Sequence, residues 1–184
     1  MKKQKLVLLL LGTGLFMMML SGKIMASDVH VHGEADMHIV LENTKLHVEF
    51  TSPIFNLAGF ETDRLSDSQR KQLDSVKSKL IDSDKWLDLK GGDCSLTQSK
   101  SGSSYDDSDS VIDHSNSGAH AHHHSAYASF LFMCQQPELL TQLSVSIKNE
   151  FPGIEKINIQ WIVGNQQGAT IGVNPTVMIN FKNE

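Results

Sequence analysis

The chain has 184 residues, 40% of them hydrophobic, and a net charge of −5 at neutral pH. This length suits one hydrophobic core and is short for two domains. The acidic balance argues against nucleic acid and anionic membrane surfaces as partners.

The first 26 residues have the pattern of a secretory signal peptide. Three lysines within the first five positions precede an apolar run over residues 6–20, and Ala26 offers a small residue for cleavage. The run is short for a membrane span, so we expect an exported product without stable membrane insertion, the alternative being an uncleaved anchor. Four of the 16 basic residues lie in the signal, so residues 27–184 carry 12 basic and 21 acidic residues and a charge of −9.

Residues 29–41 alternate between apolar and polar side chains, which predicts a half-buried strand. A turn at residues 43–44 joins this strand to a second alternating stretch, residues 46–51. In the register that this turn sets, His38 faces Glu49 and the apolar side chains of both strands share one face.

The rest of the chain predicts short strands around one main helix. Residues 54–61 are interpreted as a loop, and a capping box of Ser66 and Gln69 begins a helix over residues 66–82. Further strands are predicted at residues 94–96, 126–134, 143–147, 157–163 and 177–181, with a short helix from Pro137 and turns at 151–153 and 164–168. The predicted class is therefore α+β, with a mostly antiparallel sheet and one main helix.

Residues 99–124 are rich in Ser, Asp, Gly and His and have almost no apolar content. Such a stretch has no face to bury, so we predict a long disordered loop within a single domain of residues 27–184.

The two cysteines are Cys94 and Cys134, with 39 residues between them. In an oxidising compartment they predict one disulfide that pins the base of the predicted loop, contributing roughly 4 kcal/mol in the chain-entropy model. The alternative is that both thiolates bind zinc.

Five of the nine histidines lie in the predicted loop: His114, His120, His122, His123 and His124. Neutral imidazole is a ligand that suits Zn²⁺, Cu²⁺ and Ni²⁺, so this tract predicts metal binding. The alternative is a linker without a role.

A second constellation lies at the start of the predicted hairpin. At i and i+2 on a strand, His30 and His32 would point the same way, about 7 Å apart, and could share one zinc ion. Cleavage after Ser27 would instead make His30 the third residue, the position used by a square-planar Cu²⁺ or Ni²⁺ site. A solvent-facing polar stripe is the remaining alternative.

His38 lies about 20 Å along an extended strand from His32, too far to share its metal. In the predicted register it is diagonal to His47 and opposite Glu49. These three residues are a possible second metal group, and the alternative is again a polar stripe.

Motifs of common hydrolases and phosphate-binding proteins are absent from the sequence: it has no HExxH pair, no GxSxG elbow and no glycine-rich phosphate loop. His30-Val-His32 begins like the metallo-β-lactamase HxHxDH motif, but Glu34 and Ala35 do not complete it. We therefore expect no enzyme, with a metal hydrolase as the formal alternative.

Two stretches resemble the ZrgA-like family of zinc-regulated bacterial periplasmic proteins. The first is HVHGEADMHIVLENTKLHVEFTSPIFNLAGFE, residues 30–61, and the second runs from the His-rich tract through AYASFLFMC and PELL to FPGIEKINIQWI, residues 120–162. Cys94-Ser-Leu96 matches the family's first cysteine, whereas Ser-Ala at 125–126 departs from its pattern. The resemblance implies periplasmic zinc binding through His30, His32 and the cluster from His120 to His124.

The leading hypothesis is a zinc-binding accessory in zinc acquisition or buffering, with Zn²⁺ as its ligand and zinc ABC transporter components as partners. The alternatives are a protein that sequesters copper or nickel and a structural module with incidental histidines.

Overall fold

The computed structural model describes residues 31–106 and 124–181 of the chain. Its largest feature is a six-stranded sheet. From one edge to the other its strands are β4 (Cys94–Ser103), β5 (Ser125–Cys134), β2 (Lys45–Pro53), β1 (Glu34–Glu42), β7 (Lys156–Val163) and β8 (Gln166–Gly172). β1 and β7 are parallel, and the other neighbours in this sheet are antiparallel.

A second, antiparallel sheet has three strands in the order β3 (Leu87–Lys90), β6 (Gln142–Val145) and β9 (Val177–Asn180). The helices are α1 (Ile54–Ala58), α2 (Asp67–Ile81) and α3 (Ile147–Glu150), with 3₁₀ turns at Ser83–Lys85 and Pro137–Leu139. A sheet-rich α+β fold with one main helix agrees with the prediction.

One hydrophobic core joins the inner face of the large sheet to α2 and the small sheet. β5 alternates strictly between buried and half-buried residues, as an amphipathic strand should. At the centre Trp86 makes edge contacts with Phe50 and Phe130, at ring-centroid distances of 5.7 and 5.4 Å. Burial of rings of this size supplies roughly 2–3 kcal/mol each before conformational entropy is deducted.

The main helix begins and buries its face as predicted. Ser66 accepts a hydrogen bond from the backbone of Gln69, and the Gln69 side chain accepts one from the backbone of Ser66. Leu73, Val76 and Leu80, three and four positions apart, are the buried residues of α2. The hairpin register is also confirmed, with His38 opposite Glu49.

The first strand is shorter than predicted. β1 begins at Glu34, not at residue 29, because Gly33 takes a left-handed conformation with φ of +83°. Val31, predicted to face the core, is 46% exposed. His32 therefore lies in a turn, and the 7 Å strand spacing assumed for His30 and His32 does not apply to it.

Three other boundaries differ from the prediction. Residues 54–58 form helix α1 where a loop was predicted. The turn predicted at 164–168 occupies Gly164 and Asn165, and the missed strand β8 follows. The strand predicted at 143–147 ends at Val145, and Ile147 begins α3.

β4 continues to Ser103, so residues 99–103 form a strand where the start of a loop was predicted. The polar side chains of this part of β4 show no apolar periodicity, but its backbone pairs with β5. The remainder of that loop, residues 107–123, lies outside the described residues.

The Cys94–Cys134 disulfide is present, as predicted, so these sulfurs are not zinc ligands. It does not pin the base of the histidine tract. Cys94 pairs with Cys134 at one end of β4 and β5, whereas Ser103 pairs with Ala126 at the other end, about 30 Å along the strands.

The predicted signal peptide, residues 1–26, lies outside the described residues. Across residues 31–106 and 124–181, no helix combines the length and apolar character needed to cross a membrane.

Candidate metal site at Glu61

The described residues contain four of the nine histidines, namely His32, His38, His47 and His124. The other proposed ligands, His30, His114, His120, His122 and His123, fall outside the described residues. The described histidines divide into two places: His32 and His124 lie near Glu61, and His38 and His47 lie on the hairpin.

Glu61 links the two histidine-bearing segments of the sequence. One carboxylate oxygen, Oε2, is 2.9 Å from His32 Nε2. The other, Oε1, accepts a hydrogen bond from the backbone N–H of His124 at 3.1 Å. Residues 29 positions away on one side and 63 on the other thus meet at one carboxylate.

Contacts with α1 hold the turn that carries the His32 ring. The ring stacks on Phe55 with a centroid distance of 4.2 Å and an interplanar angle of 13°. Next to it, the buried side chain of Asn56 accepts a hydrogen bond from Gly33 N–H and donates one to the Glu34 carbonyl. Since Phe55 and Asn56 belong to α1, this missed helix holds the turn that carries His32.

His124 is fixed by its neighbours at the start of β5. Its ring stacks on Tyr105 at 4.0 Å, and its Nδ1 is 3.2 Å from Ser104 Oγ. Its carbonyl accepts a hydrogen bond from Ile54 N–H at 2.8 Å. These contacts make His124 the anchor at the end of the histidine tract.

Tyr105, which follows β4, connects the chain before residues 107–123 to the loop after α1. Its hydroxyl donates a hydrogen bond to the carbonyl of Thr62, the residue that follows Glu61. Burial raises the pKa of this hydroxyl, and the nearby carboxylates of Glu61 and Asp63 act in the same direction. Tyr105 therefore stays protonated as a donor at neutral pH.

Asp106 anchors the chain immediately before residues 107–123. Its carboxylate accepts hydrogen bonds from Ser103 N–H at 2.7 Å and from Lys77 Nζ at 2.9 Å. Burial alone would raise the pKa of Asp106, but the hydrogen bonds from Lys77 and Ser103 outweigh it and lower the pKa below its ordinary value. Asp106 and His124, the residues that flank 107–123, are thus both held at the same end of the large sheet.

His32 Nε2 and Glu61 Oε2 have suitable geometry for two ligands of one zinc ion. Two ligands about 2.0 Å from a tetrahedral zinc lie about 3.3 Å from each other, so a shift of a few tenths of an ångström would admit the metal. Within the two described ranges, no group of three or more His, Cys, Asp or Glu side chains could hold a metal ion. The described residues therefore supply two candidate ligands and not a complete site.

The proposed second group, His38, His47 and Glu49, lies on the exposed face of the hairpin. His38 pairs with Glu49, as predicted, and His47 pairs with Val40. These three side chains do not form a metal-binding group, nor does any hydrogen bond or ion pair join them in the part of the chain that the structure describes.

Sequence reasoning missed Glu61, Tyr105 and Asp106. Glu61 is the last residue of the stretch 30–61 that resembles the family, but the sequence alone does not indicate its partners. Tyr105 is an isolated aromatic residue in a polar stretch, and that isolation was the one signal that could have indicated an anchor.

Comparison with curated proteins gives no match for this chain. Comparison with protein families matches residues 29–178, which include β1 through β8 and the Glu61 region, to the family described as "ZrgA family zinc uptake protein". This range is most of the chain and agrees with the resemblance noted from the sequence. The chain belongs to the ZrgA family of zinc uptake proteins.

Proposed function

We propose that this chain binds zinc in the periplasm and acts as a non-enzymatic accessory in zinc acquisition or buffering. Membership in a zinc uptake family supports the metal. The Cys94–Cys134 disulfide supports an oxidising compartment, since such bonds are rare in the cytosol. Components of a zinc ABC transporter are the proposed partners that receive the ion.

The observation that carries the proposal is the double contact of Glu61 with His32 and His124. Zinc prefers imidazole nitrogen and carboxylate oxygen among the ligands available here. We assign the first two ligands to His32 and Glu61. The others come from His30, two positions before His32 in the sequence, and from His120, His122 and His123, which precede His124. His114 is a further donor in the same tract.

The exposure of the His32 side chain suits exchange of the ion. This side chain is 49% accessible, whereas a closed structural zinc site shields its ligands. Imidazole must be neutral to bind, and its ordinary pKa is about 6.5, so affinity should fall as the pH approaches 6. A protein with these ligands would hold zinc at neutral pH and release it on acidification or to a stronger acceptor.

The test is native mass spectrometry of the exported chain with Zn²⁺, combined with competition titration at pH 7.5 and 5.5. We expect bound zinc at pH 7.5 and at least tenfold weaker binding at pH 5.5. His32→Ala should weaken binding, and so should a triple variant with His120→Asn, His122→Asn and His123→Asn. His38→Ala is the matched control, since His38 lies on the hairpin face and should leave affinity unchanged.

A chain that stays metal-free at micromolar zinc and neutral pH would refute the proposal. Binding of copper or nickel in preference to zinc in the competition titration would favour the sequestering alternative.

A further inference from the structure

The two edges of the large sheet differ in how they are protected. An edge strand exposes unpaired backbone N–H and C=O groups, and natural proteins shield it with bulges, charges, short length or a covering element. β4 forms one edge and β8 forms the other.

β4 has several of these protections. Its pairing with β5 is interrupted between Leu96 and Gln98 by a bulge or similar irregularity. Lys100 adds a charge, and the Ser101 hydroxyl donates a hydrogen bond to the Lys77 carbonyl of α2, which packs alongside. In the small sheet, the edge strands β3 and β9 have only four residues each.

Within the described residues, β8 has neither a bulge nor a charged side chain of its own, although Lys148 Nζ donates a hydrogen bond to the carbonyl of Val173, just beyond the strand. Its seven residues, QQGATIG, contain no charge and no proline, and its register with β7 is continuous. Ile171 on this strand is 62% exposed, as is Val173 just beyond it. Within residues 31–106 and 124–181, β7 is the one strand that pairs with β8.

The strand is nevertheless held firmly in the sheet. Trp161 of β7 lies directly opposite Gly168, and a Cβ atom added there would come within 2.5 Å of the indole. The ring thus covers the glycine and compensates for the side chain it lacks, a device that stabilises glycines in edge strands. The Trp161 ring itself rests against Phe181 at 5.6 Å.

The hairpin between β7 and β8 sets which backbone groups point outward. Gly164 and Asn165 form its two-residue turn, so the closing pair Val163–Gln166 is hydrogen-bonded. Bonded and non-bonded pairs alternate along an antiparallel ladder. The backbone N–H and C=O groups of Gln167, Ala169 and Ile171 therefore point away from β7.

We propose that two copies of this chain associate by antiparallel pairing of their β8 strands about a two-fold axis at Ala169. Gln167 of each copy then faces Ile171 of the other, and Ala169 faces its own counterpart. About six backbone hydrogen bonds form, without any like charges in opposition. The two six-stranded sheets become one continuous sheet.

A second copy fits this edge better than a foreign peptide does. A two-fold interface must be self-complementary, and an uncharged strand centred on a small residue meets that requirement. The same strand carries no charge by which to select a foreign sequence, one of the features that give strand addition its specificity. The cavity of about 360 Å³ that Gln167, Gly168 and Ala169 line extends inward over β7 and β1.

Disulfide trapping tests the register. In the proposed pair the Ala169 Cα atoms lie about 5.5 Å apart, within the range for a disulfide. Those of Gln167 lie more than about 12 Å apart, outside it. Under mild oxidation Ala169→Cys should give a covalent dimer, and the matched variant Gln167→Cys should not. Equal crosslinking of the two variants, or none with Ala169→Cys, would overturn the proposal.

Sedimentation of the unmodified chain, with a chelator present and with added zinc, tests the association itself. We expect a reversible dimer in both conditions, weakened at least tenfold by Ala169→Lys, or about 1.4 kcal/mol. Gln160→Lys, the matched control, adds the same charge to the same face one strand inward and should leave the dimer intact. A monomer at every concentration, or a dimer that requires zinc, would refute β8 pairing and leave the zinc-binding proposal unaffected.

Discussion

Two sets of histidine and glutamate residues lie within residues 31–106, and only one of them brings its groups together. His32 and Glu61 come from a turn and a loop, and their side chains approach within 2.9 Å. His38, His47 and Glu49 are neighbours on a regular hairpin, yet they do not form a metal-binding group among the described residues. Side chains on one sheet face stand side by side, whereas segments that cross can point their side chains at a common point.

The largest expected effect tests whether the Glu61 region depends on the disulfide at the far end of β4 and β5. Replacing both cysteines, Cys94→Ser with Cys134→Ser, should lower the free energy of unfolding by roughly 4 kcal/mol, because the unfolded chain regains loop entropy. Urea denaturation with and without reductant measures this loss.

Zinc affinity of the molecules that remain folded should not change, since the disulfide lies about 30 Å along the strands from the start of the tract. A parallel loss of zinc affinity in the folded variant would mean that the disulfide does position the histidine tract, in line with the prediction that it pins the base of the loop.

The second-largest expected effect is on zinc affinity and compares Glu61 with Glu49. Glu61→Gln retains the size of the side chain and an oxygen for the His124 N–H, but it removes the charge beside His32. We expect zinc affinity to fall by at least about 10- to 100-fold, because that is the usual cost of losing even an outer-shell partner of a metal ligand and Glu61 is proposed to bind the ion directly. Competition titration against a chromogenic chelator measures the change.

Glu49→Gln is the matched control, because Glu49 lies on the exposed hairpin face opposite His38. It should leave zinc affinity unchanged. Equal losses in the two variants would show that overall negative charge, and not the contacts of Glu61 with His32 and His124, determines zinc affinity.

Much of the fold was predictable because its elements have apolar periodicity. The alternation in β2 and β7, the buried stripe of α2 and the register that sets His38 opposite Glu49 all follow from that signal. Residues 97–103 of β4 and the strand β8 show none, because polar and glycine residues predominate there. Their pairing depends on backbone hydrogen bonds with a neighbouring strand, which follows β4 in the chain and precedes β8.

The candidate site was less predictable for a related reason. Sequence periodicity describes one element at a time, but Glu61 contacts residues 29 and 63 positions away. The left-handed conformation of Gly33 also places His32 in a turn before β1, so the strand spacing predicted for His30 and His32 does not apply to it. Residue chemistry makes His32 a candidate ligand, which stays a prediction, whereas the carboxylate that contacts it required the tertiary structure.

The smallest effect tests the anchor that precedes the tract. Asp106→Asn removes the ion pair with Lys77, and because this carboxylate is 44% exposed, solvent screening limits the expected loss to about 1 kcal/mol at pH 7. The pKa of Asp106 is lowered in the folded protein, so its contribution is present above its unfolded pKa, near 4, and is lost as the pH falls through the lower folded value. Urea unfolding should therefore separate variant from wild type at pH 7, and the gap should narrow as the pH falls below about 4. Asp88→Asn, on the exposed side of β3, should match wild type at every pH. A gap for Asp106→Asn that persists at low pH would assign the loss to altered packing, and the anchor would then not depend on charge.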